Sequence, residues 1–144
     1  GDIPPLDRYG TGTWDSVMQV NVNSAFYLTQ AMLPLLRASD DARLLFTSSS
    51  VGRKGRAFWG AYAVSKAATE NLAQVLAEEL ENTSNIRVNT LNPGGTRTDM
   101  RALAYPGEDP QTLKTPADIM APYLYLLGPA SREVNGESID AQPK

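Results

Sequence analysis

The 144 residues suit about one domain, and 42% hydrophobic with 20% charged residues is ordinary globular composition, neither disordered nor collagen-like. Thirteen basic against sixteen acidic residues, a formal charge of −3 with no Lys/Arg block, argue against a nucleic-acid or anionic-lipid grip built on charge. The chain has no Cys and no His, which excludes disulfides, thiolate catalysis, Cys- or His-ligated metal centres, a His general base and a Ser-His-Asp triad.

Gly1 to Gly12 is rich in Gly, Pro and charge and reads as loop. Thr13 is placed to N-cap a helix running from Trp14 to Arg37. Its apolar stripe is Val17, Val20, Leu28, Ala31 and Leu35, with Ser24 filling the gap, at steps of three and four. Pro34 should bend or close that helix. Ser39-Asp40-Asp41 turns into a buried strand, Arg43 to Thr47, which runs into Ser48, Ser49 and Ser50. Val51 to Gly60 reads as loop. Ala61 to Glu81 is helical again, with Val64, Ala67, Ala68, Leu72, Val75, Leu76 and Leu80 recurring at three and four. Its many alanines permit close packing against a neighbour.

After a turn at 82–85, Ile86 to Leu91 reads as a strand broken by Asn92-Pro93-Gly94-Gly95. Arg101 to Lys114 reads as a long irregular stretch, the kind that serves as a lid or stays disordered. Thr115-Pro116 opens a helix to about Leu127. Asn135-Gly136 turns into a last strand, Glu137 to Asp140. Strands separated by helices imply an α/β fold with parallel pairing and right-handed crossovers. No apolar run approaches about 18 residues and no charged leader precedes an apolar core, so no membrane helix or secretion signal is expected. A cytoplasmic location fits the absence of Cys.

Tyr62 and Lys66 lie four apart on the third predicted helical stretch's predecessor, the one from Ala61, about 6 Å along its axis and on nearly the same face. An ammonium about 4 Å from a phenol favours the phenolate by roughly 4 kcal/mol, or about three pKa units, at an effective dielectric near 20. That brings a tyrosine toward the range where general acid–base catalysts work. The same spacing also occurs on solvated helices. Ser49 stands at a strand's C-terminal end, where open α/β sheets bind ligands, thirteen residues before Tyr62. It reads either as a hydroxyl sharing the substrate oxygen or as one of three serines capping the strand. Asn21 is unfavourable mid-helix. It reads as the mark of a kink whose freed carbonyl binds water, or as a solvent-facing residue.

Val20-Asn21-Val22, Ser49, Tyr62-Ala63-Val64-Ser65-Lys66 and Asn92-Pro93-Gly94 stand in the order and spacing of the short-chain dehydrogenase/reductase family, which the whole chain resembles. Phe46 to Arg53, Asn92 to Thr98 and Lys114 to Met120 narrow the resemblance to one bacterial oxidoreductase within it. The resemblance implies a nicotinamide oxidoreductase acting on a carbonyl or alcohol. It makes Tyr62 the acid–base and a contact of the cofactor, and Lys66 the residue that lowers its pKa and bonds the nicotinamide ribose. Ser49 would orient the substrate oxygen, and Asn21 would hold a water linking Lys66 to solvent. Pro93 and Gly94 would lie beside the nicotinamide, with Thr96 and Thr98 near its carboxamide. Met100 to Lys114 would be the substrate lid. Phe58, Trp59 and Tyr105 read as pocket walls or as packing. The resemblance also implies NADP or NAD, with NADP favoured, no metal, and a homo-dimer or tetramer formed through the Tyr62 helix and its predecessor.

The family's glycine-rich pyrophosphate turn, its NAD/NADP-discriminating residue and its Asn-Ala-Gly segment have no counterpart here; Gly10 and Gly12 follow no strand. The chain is therefore expected to be the C-terminal part of a doubly wound, three-layer Rossmann-type domain, with Asn-Ala-Gly just before Gly1. Three parallel strands alone leave an open edge and an uncovered apolar face, so the 144 residues by themselves are expected to fold poorly. Two other functions stay open: a non-catalytic remnant acting as a subunit or interaction module, and an epimerase or dehydratase using the same Tyr and Lys.

Overall fold

A computed structural model describes residues 4–143. Three strands form one sheet in the order β1 (Ala42–Thr47), β2 (Ile86–Asn92), β3 (Ser138–Asp140), all parallel. The helices are α1 (Thr11–Met18), α2 (Ser24–Arg37), the short α3 (Ser50–Arg53), α4 (Gly60–Glu81), α5 (Asp99–Ala104) and α6 (Met120–Leu127). Side chains alternate across β1 and β2. Ala42, Phe46, Ile86 and Val88 meet Ala73, Leu76, Ala77 and Leu80 of α4, with Ala25, Leu33 and Leu36 of α2 packed on the same cluster. Burying Leu76, Leu80, Ile86 and Val88 stabilises by about 1.5–3 kcal/mol each. Ala73 and Ala77 of α4 point at the sheet and let the helix sit close to it, whereas Ala67 is exposed. Val64 and Val75, expected on that face, are exposed.

Helix α6 packs on β1 without joining this cluster, so it covers the sheet's other face and completes three layers. The crossovers β1–α4–β2 and β2–α6–β3 therefore lie on opposite faces, and only one of them can be right-handed. The expectation of right-handed crossovers throughout is therefore not met; the second connection is long and carries α5 and several turns.

The first helix corrects the sequence reading in an informative way. It begins at Thr11, with Gly10 as N-cap, so Thr13 lies inside it. A single 3-10 turn (Leu6–Arg8) lies in the segment expected to be loop. Between α1 and α2, Gln19–Asn23 forms a π turn, in which the Ser24 N–H bonds the Gln19 carbonyl five residues back. One inserted residue rotates everything after it by about 100°. The expected positions Ser24, Leu28 and Leu35 are accordingly exposed, and Ala25, Thr29 and Leu36, each one residue later, face inward. Pro34 sits inside α2 without ending it.

The stretch from Arg101 to Lys114 is ordered by specific bonds. Thr98 N-caps α5, Arg101 grips Glu108 through two hydrogen bonds of 2.6 and 2.7 Å, and Arg97 donates to the carbonyls of Pro110 and Leu113. Thr115 and Asp118 form a reciprocal cap, but a 3-10 turn (Ala117–Ile119) precedes α6, which starts later than Thr115-Pro116 suggested. Among the described residues no helix is long and apolar enough to cross a membrane.

Candidate active site

The C-terminal ends of β1 and β2 open into a cavity of about 430 Å³, within the size range of small-molecule sites. Ser49 follows β1, N-caps α3 in extended backbone, and lines this cavity. Tyr62, in the first turn of α4, lines it too. Neither hydroxyl has a hydrogen-bond partner among the described residues. Lys66 sits one turn below Tyr62. Its Nζ is 5.7 Å from the centroid of the Tyr62 ring and donates to the Thr47 carbonyl at 2.9 Å. Burial pushes the Lys66 ammonium below the usual lysine range. Lys66 is not part of the cavity wall; it stands behind Tyr62.

Asn21 lies in the π turn, outside the cavity. Its Nδ2 donates to Ser65 Oγ at 3.0 Å, and Ser65 Oγ donates to the Tyr62 carbonyl at 2.8 Å. The Asn21 carbonyl is 3.5 Å from Thr69 Oγ1. The irregularity at Asn21 is this π turn, and the asparagine side chain ties it to α4 between Tyr62 and Lys66.

Pro93, Gly94, Thr96 and Thr98 also line the cavity. Gly94 has φ +74°, a conformation that favours glycine. The loop is clamped from β3's end: Gln142 Nε2 donates to the carbonyls of Pro93 and Gly95 at 2.8 and 2.9 Å, and the Gly94 N–H bonds Asn92 Oδ1. Thr96 Oγ1 donates to the Gly94 carbonyl.

Trp59 and Tyr105 form an aromatic wall, their rings 6.1 Å apart, with Tyr62 5.6 Å from Trp59. Phe58 is not part of it. It is exposed and held at φ +69°, a strained conformation for a bulky residue, which leaves Trp59 as the residue that reaches the cavity. Sequence reasoning missed Arg56 and Arg101, which also line the cavity. The signal for Arg56 was its place midway along the connection between the two hydroxyl-bearing residues.

A second turn below Lys66, buried Glu70 joins the pieces. Its Oε2 accepts from Thr90 Oγ1 at 2.8 Å and Ser138 Oγ at 2.7 Å, and Arg53 Nε lies 3.4 Å from Oε1. Arg53 also holds Ser138, Asp140 and the Ile139 carbonyl. Asp140 in turn accepts from Asn92. The network thus spans α3, α4, β2, β3 and the Pro93-Gly94 loop. Burial alone would raise the Glu70 pKa, but the hydroxyls of Ser48, Ser138 and Thr90 and the Arg53 charge outweigh it and hold it below the usual carboxylate range. Ser48 Oγ is buried and makes no hydrogen bond within normal limits of length and angle, so the firm holds on this carboxylate are Thr90, Ser138 and Arg53.

A carboxylate with a lowered pKa contributes stability above its unfolded value, about 4.3, and loses it as pH falls through the folded value. Glu70→Gln is therefore expected to destabilise the full-length polypeptide by about 1.5–3 kcal/mol at neutral pH, the worth of a hydrogen bond to a charged group. The gap in Tm between wild type and variant should close on acidification below the usual glutamate range. A gap independent of pH would contradict this.

The description "short chain dehydrogenase" belongs to the family model that matches residues 3–109. The chain is 61% identical over 143 residues to the uncharacterized oxidoreductase YciK of Escherichia coli (strain K12), covering 99% of this chain and 56% of that protein. A short chain dehydrogenase of Shigella flexneri 2a complexed with NADP superposes with a TM-score of 0.94 at 60% identity, over 99% of this chain and 59% of the other. One from Escherichia coli CFT073 complexed with NADPH gives 0.94 at 61%, over 99% and 59%. The chain spans somewhat over half the length of these relatives. Its parallel sheet matches their structures over that part. On this evidence the chain belongs to the short-chain dehydrogenase family.

Proposed function

We propose that residues 1–144 are the catalytic C-terminal portion of an NADP-dependent oxidoreductase that interconverts a carbonyl compound and an alcohol. The observation that carries this reading is the pair of uncommitted hydroxyls, Ser49 and Tyr62, in one cavity with the Lys66 ammonium behind the Tyr62 ring. The residues fit a nicotinamide nucleotide. Lys66 has three N–H donors and only one is engaged within the described residues, which leaves donors for a sugar diol. Pro93, Gly94, Thr96 and Thr98 would hold the nicotinamide end. Relatives bound to NADP and NADPH support the choice of cofactor.

When bound, the cofactor supplies or accepts a hydride. Tyr62 donates a proton to the substrate oxygen in reduction and takes it back in oxidation. Lys66 stabilises the negative charge that develops on the Tyr62 oxygen. Ser49 donates to the substrate oxygen and fixes its position. Asn21 holds a water at the π turn's freed carbonyl, and that water passes protons from Lys66 to solvent. The exposed Val20 in the π turn, Leu28 and Leu35 on α2, and Val64 and Val75 on α4 favour a second copy of the protein on these helices, as in a dimer or tetramer.

The test uses the full-length polypeptide with C4-deuterated NADPH and a carbonyl panel. The expected result is loss of nicotinamide absorbance with deuterium on the product's carbinol carbon. Turnover without net oxidation, as an epimerase or dehydratase would give, overturns the reading, as does inertness toward every carbonyl. The 144 residues alone carry no glycine-rich pyrophosphate turn and are expected to be inactive and to melt without cooperativity.

A further inference from the structure

The cavity wall contains two arginines and no carboxylate. The charge of Arg101 is already satisfied: it forms a two-bond pair with Glu108, and its guanidinium stacks 3.7 Å above the Tyr105 ring. Arg56 has neither a salt bridge nor a side-chain hydrogen bond among the described residues. An arginine without a partner at the edge of a largely apolar, aromatic cavity recognises a carboxylate or phosphate bidentately. The residue lies on the connection between Ser49 and Tyr62, the side where the substrate oxygen is activated. The loop assigned to the nicotinamide, Pro93 to Thr98, belongs to another element. Trp59 and Tyr105 offer flat apolar surface on the same side.

We propose that Arg56 determines substrate class: it pairs with an anionic group on a carbonyl compound whose apolar body lies against Trp59 and Tyr105. This rests on the oxidoreductase reading and adds the charge of the substrate to it. The anion could also be a phosphate of the cofactor, and the experiment separates the two sources.

The full-length polypeptide is compared with Arg56→Ala and Arg56→Lys on 4-formylbenzoate and its uncharged methyl ester. Wild type is expected to favour the acid. Arg56→Ala should raise KM for the acid about ten- to a hundred-fold, the worth of one charge-assisted hydrogen bond. KM for the ester and for NADPH should not change, and Arg56→Lys should recover part of the loss. An equal effect on acid and ester overturns the proposal, and a raised KM for NADPH assigns Arg56 to the cofactor instead. Calorimetric binding of 4-formylbenzoate gives a readout free of turnover. Tighter binding to wild type than to Arg56→Ala sustains the anion site even if the redox reading fails, and equal binding removes it. Arg56 is exposed, so neither substitution threatens folding.

Discussion

Gly52→Ala is expected to destabilise the full-length polypeptide by about 1–3 kcal/mol, the usual cost of forcing extra volume into a packed contact. It is also expected to lower kcat by about a hundredfold, as misplacement of a reacting group by about 1 Å can. A Cβ on Gly52 would lie 2.8 Å from the Lys66 carbonyl carbon, 2.8 Å from the Lys66 Cβ and 2.9 Å from the Lys66 carbonyl oxygen. Those are mostly backbone atoms of a long, well-packed helix, so they cannot yield. The α3 turn must back away, and Ser49, its N-cap, moves with it. Gly55→Ala is the control, because a Cβ there meets nothing within 4 Å. Thermal unfolding and steady-state rates of the two variants check this. Equal behaviour would mean that α3 tolerates displacement and that Ser49 is not held by the contact.

The strands and the Tyr62 helix were legible because each has one dominant environment. Ile86, Val88 and Leu91 are fully buried, and Ile86 and Val88 alternate with the partly exposed Arg87 as the period of a strand requires. The first helix was legible in extent but not in face. A π turn leaves no mark in periodicity except a slip of one residue, and apolar residues on both sides of α2 hid that slip. The handedness of the second crossover was hidden too, because nothing local in α6 records which face of the sheet it covers.

Of the residues singled out by sequence spacing, Ser49 and Tyr62 line one cavity and Lys66 stands behind the Tyr62 ring. Arg56 and Arg101 were missed because an arginine in a stretch without clear periodicity looks the same whether it faces solvent or a cavity. Phe58 was misplaced because its backbone strain, which turns it outward, has no signature in residue type. Glu70 was passed over since a glutamate on a helix is ordinarily solvated, and its partners Thr90, Ser138 and Arg53 come from three other segments.

In the proposed reaction the Tyr62 hydroxyl carries the proton of the redox step. Phe at this position keeps the ring that packs 5.6 Å from Trp59 and removes only the oxygen. Binding of substrate and cofactor should persist, as should folding. General acid–base catalysis by one group contributes about 10²–10⁴-fold, so kcat should fall by that factor while KM for NADPH holds. The decisive measurement is the rate of NADPH consumption by full-length Tyr62→Phe against wild type, on any carbonyl that wild type reduces. The predicted result is that loss; a Phe variant turning over at the wild-type rate would contradict the account.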